Sequence, residues 1–275
     1  MAASNPAFKN TPAFSAGATK GIQLSQNQNL SAGQLDELYG RPSATSVDTD
    51  RMTYEDTIVK TVVAFGFLLV GAAVGWVIPV LMIPAAIAGF VLALVNIFKK
   101  KPSAALVLSY SAVQGVFVGA LTMFFESQPE YSGIAVQAVH ATFTVVGVTL
   151  ALFASGKIRA SKKATKIFLI AMVGYAAFSL INFGMMIFDV TDQPFGMRSY
   201  EIPILGGIPL GAVLGVFVIL LAAYSLVLDF DGVQQGVRNG APRNFAWKAA
   251  FGIVLTVVWL YMEILRLLAI LRGDG

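Results

Sequence analysis

Twenty consecutive residues, PLGAVLGVFVILLAAYSLVL (209–228), run without a charge, an amide or a histidine and then meet Asp229 and Asp231. A helix needs about 20 apolar residues to cross about 30 Å of hydrocarbon. A segment apolar on every side has no face to turn toward water. Six further stretches read the same way, giving spans at about 58–78, 80–98, 103–125, 133–155, 164–188, 204–228 and 245–271. The whole chain agrees: 56% of its 275 residues are hydrophobic and only 12% charged, and its mean hydropathy is +0.73. Water-soluble domains carry about 25% charged residues. The expected class is an all-α membrane protein of seven transmembrane helices, in a domain covering 53–275, in contact with the lipid bilayer.

Residues 1–52 form a different region. They are rich in Ser, Asn, Gln, Gly and Pro, lack the apolar core of a cleavable signal, and read as a disordered N-terminal tail. NPAF at Asn5 and TPAF at Thr11 form a short repeat, which is either a docking element or low-complexity sequence. QLDELYGRP (34–42) can form a helical turn or two. Thr53 followed by Asp56 resembles a capping box at the start of the first span. Pro79, in VIPV, interrupts backbone hydrogen bonding and predicts a tight hairpin between the first two spans.

Loop charges give the orientation. Lysine and arginine favour the cytoplasmic side. Lys99, Lys100 and Lys101 follow the second span. Lys157, Arg159, Lys162, Lys163 and Lys166 follow the fourth, and Arg238, Arg243 and Lys248 the sixth. The intervening loops hold Glu126, Glu130, Asp189, Asp192 and Glu201 with a single base, Arg198. This alternation predicts a multi-pass protein of the cell (inner) membrane with a cytoplasmic N-terminus. The net charge of +4 belongs to these loops and does not describe a nucleic-acid surface.

Polar groups inside spans are costly and turn toward the bundle interior. Gln114 in span three, His140 in span four, and Glu263 and Arg266 in span seven can outline a polar path, with His140 either a hydrogen-bonded helix-packing residue or a proton relay. Glu263 and Arg266, at i and i+3, can pair with each other. That pair is either an internally neutralised structural feature, with Arg266 reaching the surface, or part of the path. Small residues recur as GAAVG (71–75) and GAVLG (211–215), a spacing that lets helices approach closely. Asp229 also has two readings, a solvated helix end or an acid at the mouth of an ion path. On a helix, Asp229 and Asp231 lie about 200° apart and cannot share a face. Span seven re-enters at the depth where span six ends, so Thr256 is a plausible neighbour of Asp229, with Asp231 turned to water.

The ordered set GWVIPVLMIP, YSAVQG, LVLDFDGV and MEILRLLAIL, across roughly 53–272, resembles the transmembrane Bax inhibitor motif family, specifically its bacterial Bax-inhibitor and YccA-like branch. The resemblance implies six helices in hairpins around a central seventh. It also implies, for some members, a pH-sensitive calcium leak in which an aspartate ending span six bonds an aspartate in span seven. Aligned on LVLDFDGV, the first aspartate is Asp229. Aligned on LRLLAIL, the second falls at Thr256, so this chain departs from the acid pair. A glutamate often found in span three is here Gln114. Two close carboxylates raise one another's pKa, and a threonine does not titrate.

Two functions follow as expectations. One is an ion-transport protein resembling the calcium leaks, with its ion-pathway and pH-sensing residues at Asp229 and Thr256. The alternative is a non-transporting regulatory protein that binds a membrane protease or other membrane-protein partners. The chain lacks an HExxH helix, a GxSxG elbow and any cysteine, which argues against an enzyme. It predicts neither a resident metal nor a cofactor; Ca2+ enters only as a transported ion.

Overall fold

The computed structural model describes residues 50–190, 193, 195–203 and 206–273. The expectations for the tail up to residue 49, with its repeat and its helical turn at 34–42, therefore lie outside the described residues. Among the described residues, seven helices are long and apolar enough to cross a membrane. They are α1 (Tyr54–Val77), α2 (Met82–Phe98, whose span includes the 3-10 turn from Pro79), α3 (Ala104–Glu126), α4 (Ile134–Ala154), α5 (Lys162–Ile187), α6 (Leu210–Arg238) and α7 (Phe245–Gly273). A two-stranded hairpin, β1 (Glu201–Ile202) with β2 (Ile208–Pro209), precedes α6.

Local chemistry sets the boundaries. The Thr53 hydroxyl accepts the Asp56 amide at 3.1 Å, so α1 starts at the cap read from the sequence, a turn ahead of the apolar span that begins near 58. Ile78 and a 3-10 turn at Pro79–Leu81 separate α1 from α2. The two helices diverge from that turn, and each packs on α3 rather than on the other. The largest difference from expectation is α6. It begins at Leu210, after Gly206 and Gly207 at φ 75° and 85°, and continues ten residues beyond the expected end at 228. The apolar window closes at Asp229, but Asp229, Gly232, Val233 and Gly236 repeat at helical spacing and are all buried. That inward stripe carries the helix on.

The contact between α1 and α3 is made by glycine. A methyl group on Gly71 or Gly75 would lie 2.1 or 2.0 Å from the carbonyl oxygens of Ala112 and Val116. One on Gly115 or Gly119 would lie 2.1 or 2.0 Å from those of Leu68 and Ala72. Two small-xxx-small motifs therefore face each other, backbone against backbone. Residue numbers rise together along both helices, so α1 and α3 run parallel. The chain must recross the bilayer between them, which makes α2 a separate span.

At the centre, α7 packs against α1, α3, α4 and α6. Its first half joins Tyr110 and Val107 of α3 and Ala64 and Leu68 of α1 in one apolar cluster. Its second half joins Ile134 and Ala138 of α4 and Ala222 and Leu226 of α6 in another. The fifth helix is peripheral: Phe168 and Asn182 are its buried residues. Exposed Ile58, Val62 and Leu69 on α1, Phe90 on α2 and Val173 and Leu180 on α5 form the apolar exterior that a bilayer covers.

One end of the bundle collects the basic loops. The Met52 amide donates to the Ala241 carbonyl at 2.7 Å, bringing the start of α1 to the α6–α7 turn. Arg159 reaches Gln234, which brings the α4–α5 turn to the same end. The opposite face carries the α3–α4 turn, where Arg272 donates to the Ser132 carbonyl at 2.7 Å. There Glu126 accepts the amides of Gly133 and Ala135 and so caps the start of α4.

Two bases assigned to loops lie inside the fold. Lys248 belongs to α7, is 3% exposed, and faces the carbonyls of Ile97 and Lys99 at 3.5 and 3.3 Å. It meets the C-terminus of α2, where orphan carbonyls and the negative helix end favour a cation. Arg198 is 4% exposed and points into the bundle. Position along the chain does not reveal a loop that folds inward.

Candidate functional site

Asp229 lies in the body of α6, about 29 Å from Leu210 at 1.5 Å per residue. It is 0% exposed. The helix places Ser225 one turn before it on the same stripe, and α7 presents Thr256 across the interface. The Thr256 hydroxyl donates to Asp229 Oδ2 at 2.6 Å. Its oxygen, with that proton committed, is left to accept from Ser225 Oγ at 3.4 Å. A hydroxyl chain thus runs from Ser225 through Thr256 to a carboxylate in a region without solvent. Such a carboxylate persists only where hydrogen bonds replace water.

Asp231 is on the other side of α6. It is half-buried rather than turned fully to water, and its Oδ2 accepts from Gln235 Nε2 at 2.5 Å, one turn on. The two acids are separated as the 200° rule requires, and the first faces α7.

Glu263 forms a second polar centre, two turns further along α7. It is 3% exposed. Arg266 Nη1 donates to both of its oxygens, at 2.9 and 3.0 Å, so the i,i+3 pair forms. Trp259 Nε1 donates at 3.3 Å, and the Tyr175 hydroxyl of α5 donates to Oε1. Arg198 comes from the 3-10 turn Gly196–Ser199 ahead of α6. Its Nη2 donates to Tyr175 Oη and to Ser179 Oγ, both at 3.0 Å, and its Nη1 lies 3.9 Å from Glu263 Oε2. Its guanidinium also stands over the rings of Tyr175 and Phe178 at 5.3 and 5.6 Å. Two arginines therefore converge on one carboxylate.

The two centres are not continuous. Leu260 lies between Thr256 and Glu263 along α7, and Ala222 and Leu226 face it from α6 in the same apolar cluster. The other residues of the expected path are dispersed. Gln114 is packed over Gly89 of α2, whose Cβ position lies 2.6 Å from the amide oxygen. His140 is on the exposed side of α4, with Nδ1 2.8 Å from its own helix's Val136 carbonyl. A polar side chain on a lipid-facing surface can bond to the preceding turn, so an isolated histidine in an apolar span does not mark a lumen.

Arg198, Tyr175 and Ser225 were not singled out from the sequence. Ser225, at i−4 from Asp229, carried a usable helical signal. Tyr175 sits unmarked among apolar neighbours, and Arg198 was hidden by its loop position.

The family model for Bax inhibitor 1 like matches residues 5–273. The match includes most of the tail as well as the membrane region. No curated protein matches the chain. With seven apolar helices, a central α7 and Asp229 facing it, the chain is a multi-pass membrane protein that belongs to the Bax inhibitor 1-like family.

Proposed function

We propose that this protein is a cation leak of the cell membrane, closed in the state described, with Asp229 as the acid at the cytoplasmic mouth of its path. The observation that carries this reading is a fully buried carboxylate on α6 held by the Thr256 hydroxyl of α7. Buried ionisable groups in membrane helices are expensive, and their usual use is in ion or proton passage. Calcium is the proposed cargo. Its preference for hard oxygen ligands suits the carboxylate and the two hydroxyls that converge here. Among the described residues, no group of three His, Asp or Glu is placed to hold a metal ion. The ion in this reading passes through rather than residing.

The apolar layer of Ala222, Leu226 and Leu260 is the closed section of the path. Opening requires α6 and α7 to separate there, and the hydrogen bond from Thr256 to Asp229 opposes that separation. The N-terminus is assigned to the cytoplasm, because the loop bases gather on the face where α1 begins.

The test is calcium flux into sealed liposomes. Asp229→Asn keeps an acceptor for Thr256 but removes the charge that attracts the ion. The expected loss is roughly tenfold, the factor given by about 1.4 kcal/mol. Asp231→Asn leaves flux unchanged. Equal flux in wild type and both variants would remove the leak reading and favour a regulatory protein that acts through membrane partners.

A further inference from the structure

We infer that the turn ahead of α6 is a plug on the face opposite Asp229, latched by Arg198. Four observations carry this. The turn Gly196–Ser199 is drawn into the bundle: the Asn182 side chain of α5 donates to the Phe195 carbonyl at 3.2 Å and accepts the Met197 amide at 2.7 Å. The backbone of that turn lies against α6, where a methyl on Gly211 would stand 2.8 Å from the Arg198 carbonyl oxygen and 2.9 Å from its Cβ. The Arg198 side chain then extends inward to Tyr175, Ser179 and Glu263. Finally, α5 contributes little apolar burial of its own, so this polar cluster is a principal tie between α5 and the central α7.

The charge balance shows why this is a latch rather than a passive contact. Glu263 supplies one negative charge, and Arg198 and Arg266 supply two positive ones. The Tyr175 hydroxyl, which donates to Glu263, accepts from both guanidinium groups, Arg266 at 3.2 Å. With Arg198 withdrawn, Arg266 and Glu263 neutralise each other within α7. With Arg198 inserted, the cluster carries a net positive charge that repels cations. The plugged state therefore blocks this face both sterically and electrostatically, and withdrawal of one turn removes both barriers. Its flux consequence rests on the leak reading; the closure itself does not.

The absence of cysteine makes the test clean. Val218 is 0% exposed on α6, on the same stripe as Gly211 and two turns deeper. Val218→Cys is introduced as the only thiol, and its reaction with a membrane-impermeant maleimide is timed in sealed proteoliposomes. Slow labelling is expected with Arg198 in place. Arg198→Ala should accelerate it by about tenfold, the factor that follows when a charged hydrogen-bond partner stabilising the closed state is lost. Asn182→Ala is the second variant. It keeps every charge but removes the two bonds that hold the turn inward, and it should accelerate labelling as well, so the test survives if Arg198→Ala does not fold. Fast labelling in the Val218→Cys parent, or unchanged slow labelling in the folded plug variants, would overturn the plug. Faster labelling without a change in calcium flux would support the plug and show that the Ala222, Leu226 and Leu260 layer closes the path independently of it.

Discussion

The Thr256 hydroxyl and the Asp229 carboxylate meet at 2.6 Å across the α6–α7 interface, at a point where neither residue is exposed. That bond couples the two most buried helices of the bundle. A valine at 256 keeps the shape and removes the donor. Thr256→Val should lower stability by about 1.5–3 kcal/mol, the contribution of a hydrogen bond to a charged group. Thr256→Ser, which keeps the hydroxyl, should cost much less. Denaturation of the detergent-solubilised variants compares them, and equal stability of Val and Ser at this position would show that the bond does not hold the helices.

The α1–α3 crossing predicts a contrast among glycines. Gly75→Ala and Gly119→Ala place a methyl about 2 Å from a carbonyl oxygen and should destabilise by about 1–3 kcal/mol through overpacking. Gly66 and Gly147 have open space at the same position. Alanine there should be neutral or mildly stabilising, because alanine is the better helix former. Thermal unfolding of the four variants checks the pattern.

Truncation locates where the folded unit begins. Met52 is 2% exposed and its amide bonds Ala241, while the Asp50 carbonyl accepts the Arg243 amide at 2.8 Å. Asp56 adds an ion pair with Arg243 at 3.1 Å and another with Lys60 at 2.6 Å. Removal of residues 1–45, whose composition cannot bury a core, should leave the purified protein monodisperse with an unchanged melting temperature. Removal through Met52 should lower that temperature by about 2–4 °C, as loss of about 1 kcal/mol does in a domain of this size.

Orientation is tested with single cysteines at two exposed positions, Lys100→Cys and Glu130→Cys. A cytoplasmic N-terminus predicts that an impermeant maleimide labels position 130 in intact cells and position 100 only after permeabilisation. The reverse pattern would invert the bundle.

Much of this architecture is legible in one dimension, because a bilayer imposes length and apolarity on every span. The seven spans were visible for that reason, and Asp229 stood out because a carboxylate follows twenty apolar residues. What was hidden depends on neighbours in space. Gly115 and Gly119 become informative only opposite Gly71 and Gly75. Lys248 and Arg198 look like loop charges until Lys248 is seen against the end of α2 and Arg198 against Tyr175. The full length of α6 was missed because its last ten residues are amphipathic rather than uniformly apolar. Polarity alone does not say where a side chain points: His140 lies on the exposed side of α4, and Gln114 packs over α2.

The central claim is that the contact between Asp229 and residue 256 controls passage, and Thr256→Asp tests it most directly. The substitution places a second carboxylate within hydrogen-bonding reach of the first. Two such acids share a proton at low pH, and one of them has a raised pKa. Once both ionise they repel, which drives α6 from α7. Calcium flux into liposomes carrying Thr256→Asp should therefore rise steeply between about pH 5 and 8, the range in which a raised carboxylate titrates. Wild type, with a threonine that cannot titrate, should change much less over that range. A flat profile for Thr256→Asp, matching wild type at every pH, would contradict the account.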